Sequence, residues 1–178
     1  MSERLIDMKW LLVDQIQDLT TGSKFLRERI LGIDGSKSLP DETIWFIRMC
    51  NMFLINSMAK VFEITDRYGK EIQQFSPETK NKLVSLRAEI ESKKIYQYRS
   101  KYGSHIIDDN TGRALSLVDG EVLLSKIIGK TLQENLDFCD WICPQNLSQV
   151  QTTECVMNKI IETRDYLVSI IGSGGKRP

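Results

Sequence analysis

The chain has 178 residues, with 24 Lys plus Arg balanced by 24 Asp plus Glu, and a single histidine. That length suits one domain able to bury roughly 70% of its unfolded surface, so neither disulfides nor a structural metal are needed for folding. A net charge of zero supplies no global field to draw in nucleic acid, so any such role has to rest on a local patch.

Leu5, Met8, Leu12, Ile16 and Leu19 recur at spacings of three and four, which predicts an amphipathic helix. Thr21-Gly22 is expected to stop or kink it, with a further helical segment through Phe25, Leu26, Ile30 and Leu31. Gly32 to Pro40 reads as a loop whose glycines match no Walker or dinucleotide spacing. A second helix is expected from about Asp41, as a cap, to about Tyr68, before Gly69. It is apolar around most of its circumference, which predicts other helices on all sides. Arg48, Asn51, Asn56 and Lys60 interrupt its apolar run, so it reads as a core helix and not as a membrane span.

Ser76-Pro77-Glu78-Thr79 combines a hydroxyl cap, a proline at the first helical position and an acid in the first turn. The helix it starts carries Leu83, Leu86 and Ile90 and reaches the mid-nineties. A short helix from about Lys94 should loosen near Gly103, and Asp108 to Gly112 is turn chemistry. Helical periodicity resumes from Leu117 to about Cys143, where Pro144 closes it, and again from Leu147 to Ile171. The expected architecture is an all-α bundle of five to six helices, one domain over 1–171. Residues 172–178 form a flexible basic tail.

The four cysteines are Cys50, Cys139, Cys143 and Cys155. A zinc site on Cys139 and Cys143 needs two more ligands, and one histidine provides poorly for them. Buried thiols are the better reading, and with no signal-peptide core after Met1 the chain is expected to be cytoplasmic and reduced.

The candidate site is the stretch from Tyr98 to Asp108. It holds the only histidine, His105, just after a run of Lys93, Lys94, Arg99 and Lys101 with no acid between them. An imidazole changes charge near neutral pH, and a guanidinium is a permanent planar cation suited to phosphate. Residues six apart on an ideal helix differ by about 240° in direction and about 9 Å in height, so Arg99 and His105 cannot share one phosphate from a straight helix. Either the helix opens at Gly103 or a second copy completes the site across a two-fold axis. A lone histidine is also commonly a satisfied structural residue.

A helical chain with arginine, a polar residue and then histidine resembles the HEPN family, most closely its prokaryotic abortive-infection branch. The motif here is Arg99-Ser100-Lys101-Tyr102-Gly103-Ser104-His105, with Ser100 where asparagine is commonest in the family. The resemblance implies a metal-independent, cofactor-free endoribonuclease acting as a homodimer on RNA. The RNA 2′-hydroxyl would attack its own phosphodiester. His105 would move protons, and Arg99 would hold the phosphate and stabilise the transition state. Ser100 would orient the phosphate or the imidazole, Tyr102 would stack on a base, and Lys94 and Lys101 would attract the backbone. Asp108 would either hold the imidazole tautomer or serve only as a turn residue. Family members often sit beside a nucleotidyltransferase-type antitoxin, which in some modifies a tyrosine two places after the histidine. That place is Ile107 here, a departure from the pattern on which such control depends. Two other readings stand beside this one: a non-catalytic helical dimer or scaffold, and a nucleotide-binding module that uses Arg99 and Lys101 without cleavage.

Overall fold

The computed structural model describes residues 3–34, 38–103, 112–113 and 116–172, and every regular element among them is helical. The frame is an antiparallel pair, α1 (Glu3–Leu31) and α2 (Asp41–Arg67). Arg4 at the start of α1 donates to the Arg67 carbonyl at the end of α2 (2.8 Å), while Arg29 near the end of α1 donates to Thr43 Oγ1 (2.7 Å). After the single turn α3 (Gly69–Ile72), α4 (Pro77–Ser92) packs on α2, and α5 (Ile95–Tyr98) crosses both. α6 (Leu117–Ile128) touches α5, α7 (Leu132–Ile142) lies on α1, and α8 (Val156–Ile171) runs between α1 and α4. The all-α bundle expected from periodicity is the observed fold.

α1 does not break at Gly22. Its buried face continues through Met8, Leu12, Leu19, Leu26 and Ile30 as one helix. A mid-helix glycine costs about 1 kcal/mol relative to alanine. Here it clears the crossing with α2, because a Cβ at Gly22 would stand 2.8 Å from Leu54 Cδ2 and 2.9 Å from Phe53 Cδ1. α2 is likewise not enclosed along its whole length. Leu54, Ile55, Met58, Ala59 and Val61 are completely buried, but Trp45, Met49 and Phe53 form an exposed ridge at four-residue spacing. Its start also differs from expectation: Pro40 occupies the cap position with no side-chain cap bond, and Asp41 and Glu42 lie in the first turn.

Ser76 caps α4, accepting from Thr79 N–H, with Pro77 at the first helical position. The continuous helix expected from Leu117 to Cys143 is two helices. Gly129, at φ 88° and ψ 175°, ends α6, and a capping box between Thr131 and Glu134 starts α7. Glu134 Oε2 accepts from the backbone N–H groups of Lys130 and Thr131, both at 2.8 Å. These bonds satisfy donors that a broken helix would otherwise expose. The last segment also divides, into a 3₁₀ stretch over Leu147–Thr152 and then α8, with Cys155 at its cap. Of the tail, residues 173–178 lie outside the described residues.

All four cysteines are free and buried. Burial pushes the Cys139 thiol up to about 12 and the Cys143 thiol up to about 11. A thiol held protonated in this way is a packing group and not a nucleophile. No helix among the described residues is long and apolar enough to cross a membrane.

One polar cluster ties α4, α7 and α8 together. Lys159, with its side chain 8% exposed, donates to Glu89 Oε1 at 2.6 Å, Ser85 Oγ donates to the same oxygen at 2.9 Å, and Trp141 Nε1 donates to Oε2 at 3.3 Å. Burial pushes the Glu89 carboxyl up, but the Lys159 bond, with help from Ser85 and Trp141, outweighs it and holds Glu89 below the usual carboxylate range. A depressed folded pKa means stability that is present above the unfolded value and lost as pH falls through the folded one. Glu89→Gln leaves the Lys159 ammonium in a largely dry site, and partial exposure of the pair reduces the cost to about 2 kcal/mol. Urea unfolding is expected to show that loss at neutral pH and a weaker fall in stability than wild type below about pH 4.

Candidate functional site

The candidate stretch is built by a reversal of direction at the end of α4. Lys94 stands at φ 58°, in the left-handed region that non-glycine residues seldom occupy. Its N–H donates to the Glu91 carbonyl (2.8 Å) to close α4, and its own carbonyl accepts from Tyr98 N–H (2.9 Å) to open α5. After one turn of α-helix the backbone widens into a π-helical turn, Arg99–Gly103. The short helix from Lys94 that loosens at Gly103 is thus present as expected. Such widened turns occur disproportionately at functional sites.

Tyr98 anchors the turn. It is 4% exposed, its hydroxyl donates to Met52 Sδ of α2 at 3.5 Å, and burial raises its pKa. Tyr102, one widened turn on, stacks against it with ring centroids 5.5 Å apart. The far side of the turn rests on α6 at Gly120, where a Cβ would lie 3.0 Å from Tyr102 Cδ1. Tyr102 is therefore held by packing as well as partly exposed, and Lys101 places its ammonium 5.6 Å from the Tyr102 centroid.

Arg99 is a third exposed, and its Nη1 lies 3.1 Å from Glu63 Oε1. Glu63 comes from α2, 36 positions earlier in the chain, so the run that carries no acid in sequence does carry one in space. The carboxylate orients the guanidinium and offsets part of its charge. Around it lie Phe62, stacked on Tyr96 at 4.8 Å, and Arg87, which sits 4.7 Å from the Phe62 ring and pairs with Asp66 at 2.9 Å. Ser100 is half-buried on the same turn, and the side chain of Lys94 is exposed. Lys93 separates from the group, with its ammonium 4.6 Å from the Trp141 ring over α7.

The structure therefore brings Arg99, Ser100, Lys101 and Tyr102 onto one turn. Lys94 lies at that turn's entry and Lys93 elsewhere. His105 and Asp108 lie outside the described residues. Glu63, Tyr96 and Tyr98 were missed as members of the site. The interleaving of Tyr96, Tyr98 and Tyr102 with basic residues was visible in the sequence, whereas the Glu63 partnership depends on tertiary packing. No group of three or more possible metal-binding His, Cys, Asp or Glu side chains occurs among the described residues.

No family model and no curated protein matches the chain. Among solved structures it is similar to an integron cassette protein, Vpc_cass2, from the mobile metagenome of V. paracholerae. The TM-score is 0.73 at 22% identity, over 94% of this chain and 97% of that chain. At that identity the likeness is one of fold, and the fold it shares with this chain is the helical bundle described above.

Proposed function

We propose that this chain is a metal-independent endoribonuclease of HEPN type, acting in the cytoplasm as a homodimer on RNA. The observation that carries the reading is the π-helical turn over Arg99–Gly103, which presents a half-exposed guanidinium and two lysine-flanked tyrosines immediately before the only histidine. In the reaction, the 2′-oxygen forms a bond to phosphorus as the bond from phosphorus to the 5′-oxygen breaks. One proton leaves the 2′-hydroxyl and one reaches the departing 5′-oxygen. His105 is the group suited to carry them. Arg99, already turned outward by Glu63, meets the charge that develops on the phosphoryl oxygens. Lys94 and Lys101 add local attraction for the backbone, and Ser100 lies beside Arg99 to orient the phosphate.

The exposed ridge of α2 supports the homodimer. Met52, which accepts the Tyr98 hydroxyl, belongs to the same turn of α2 as Met49 and Phe53, so a copy seated on that ridge would lie alongside the Arg99 turn. A neutralising nucleotidyltransferase-type partner belongs to the same proposal, although Ile107 replaces the tyrosine that such partners modify. The test is incubation of labelled RNA with the purified full chain in excess EDTA. Discrete fragments are expected; RNA that stays intact at enzyme excess would overturn the reading in favour of a scaffold. Binding without turnover would overturn it in favour of a nucleotide- or RNA-binding module.

A further inference from the structure

A second site lies away from the Arg99 turn, in a cleft of about 390 Å³ between α2, the end of α6 and the start of α7. That volume is in the range of small-ligand pockets. Asn51, 1% exposed, and Asn135, 6% exposed, form part of its lining. Asn135 Nδ2 donates to the carbonyls of Thr131 (3.0 Å) and Ile128 (3.3 Å), which fixes the way its amide faces. Its Oδ1 then accepts from Asn51 Nδ2 at 2.8 Å. That leaves Asn51 Oδ1 buried with no hydrogen-bond partner among the described residues. A buried acceptor left unpaired is costly, and such groups call for a partner.

The cleft's other features say what kind of partner. Arg48 precedes Asn51 by three residues, so the two share a face of α2 with Cβ atoms about 5–6 Å apart. Lys130 and Glu121 stand on the opposite rim, and the half-buried Ile47, Leu124 and Leu132 supply apolar walls. Both amide nitrogens of the asparagine pair are engaged, so the lining offers an acceptor where a nucleobase edge would need donors and acceptors side by side.

We propose that this cleft binds a small α-amino acid with an apolar side chain. The ammonium donates to Asn51 Oδ1 and faces Glu121, Arg48 and Lys130 hold the carboxylate, and the side chain lies against Ile47, Leu124 and Leu132. The short span from ammonium to carboxylate matches the spacing of Asn51 and Arg48. Because Asn51 Oδ1 is shut off from solvent, entry requires a side-chain shift at the rim. The long, exposed Arg48 has the freedom to make it.

Isothermal titration of the full chain with L-phenylalanine and L-leucine tests the site, independently of any action on RNA. Saturable binding of at least one is expected at millimolar or lower concentration. Binding of 3-phenylpropanoate, which lacks the ammonium, and of L-phenylalaninamide, which lacks the carboxylate, should each be at least about tenfold weaker than that of L-phenylalanine, or undetectable where leucine alone binds. Arg48→Met, at an exposed position that folding tolerates, should weaken the bound amino acid about tenfold and leave the amide unaffected. Absence of saturable binding by either amino acid up to about 10 mM would overturn the proposal. So would affinity indifferent to removal of the ammonium, of the carboxylate or of the Arg48 charge.

Discussion

Replacing His105 by alanine is expected to slow RNA cleavage by about two to four orders of magnitude, the range over which a positioned proton carrier contributes. Circular dichroism and melting temperature should stay at wild-type values, because the helical core is built without this residue. Arg99→Lys keeps the charge but loses the planar fork that matches a phosphoryl group, and should cost about two to three orders of magnitude in kcat. Release of Glu63 from its 3.1 Å contact leaves an exposed carboxylate, so that substitution too should leave the fold intact. The two inactive variants also test the composite site. If each site takes Arg99 from one copy and His105 from the other, mixing and re-annealing them restores one intact site per mixed dimer. Recovered activity should then reach about a quarter of wild type at equal mixing, because half of the dimers are mixed. Should both residues of a site come from one copy, the mixture stays inactive.

Gly129→Ala is expected to have the largest effect on stability of any single-methyl addition to the described chain. Gly129 occupies φ 88°, ψ 175°, a combination that side chains avoid, and its added Cβ would fall 2.1 Å from Glu134 Cβ. The backbone strain and the collision together should cost about 3 kcal/mol, lowering the melting temperature by roughly 10 °C. Relief of the collision would have to move Glu134, whose carboxylate closes the capping box that begins α7. Gly172→Ala is the control: its φ of 77° carries similar strain, but nothing lies within 4 Å of the added carbon and it stands at the end of α8. Its effect should be much smaller. Equal melting temperatures for the two variants would show that the α6–α7 corner is not held as described.

The bundle was legible because apolar spacing survives local irregularity. Leu83, Leu86 and Ile90 lie buried on the expected face of α4, and the Ser76-Pro77 start is where its chemistry put it. Breaks and joins were harder to read. Gly22 suggested a break because glycine is a poor helix former, and only the approach of Leu54 explains why it is there. The reverse error arose at Gly129, where unbroken apolar periodicity hid a corner that Thr131 and Glu134 already marked as a helix start three residues apart. The exposed ridge of α2 was invisible to periodicity, since an all-round apolar helix reads the same whether protein or a partner covers it. At the site, the loosening toward Gly103 followed from its residues, but the left-handed Lys94 and the Glu63 contact with Arg99 arise from the path of the chain.

The functional account stands or falls on the ends of the RNA that the full chain produces in EDTA. Attack by the 2′-hydroxyl predicts a 2′,3′-cyclic phosphate on one fragment and a free 5′-hydroxyl on the other, with both absent when His105→Ala replaces the wild-type chain. Fragments ending in 3′-hydroxyl and 5′-phosphate, or cleavage that persists undiminished in that variant, would contradict it.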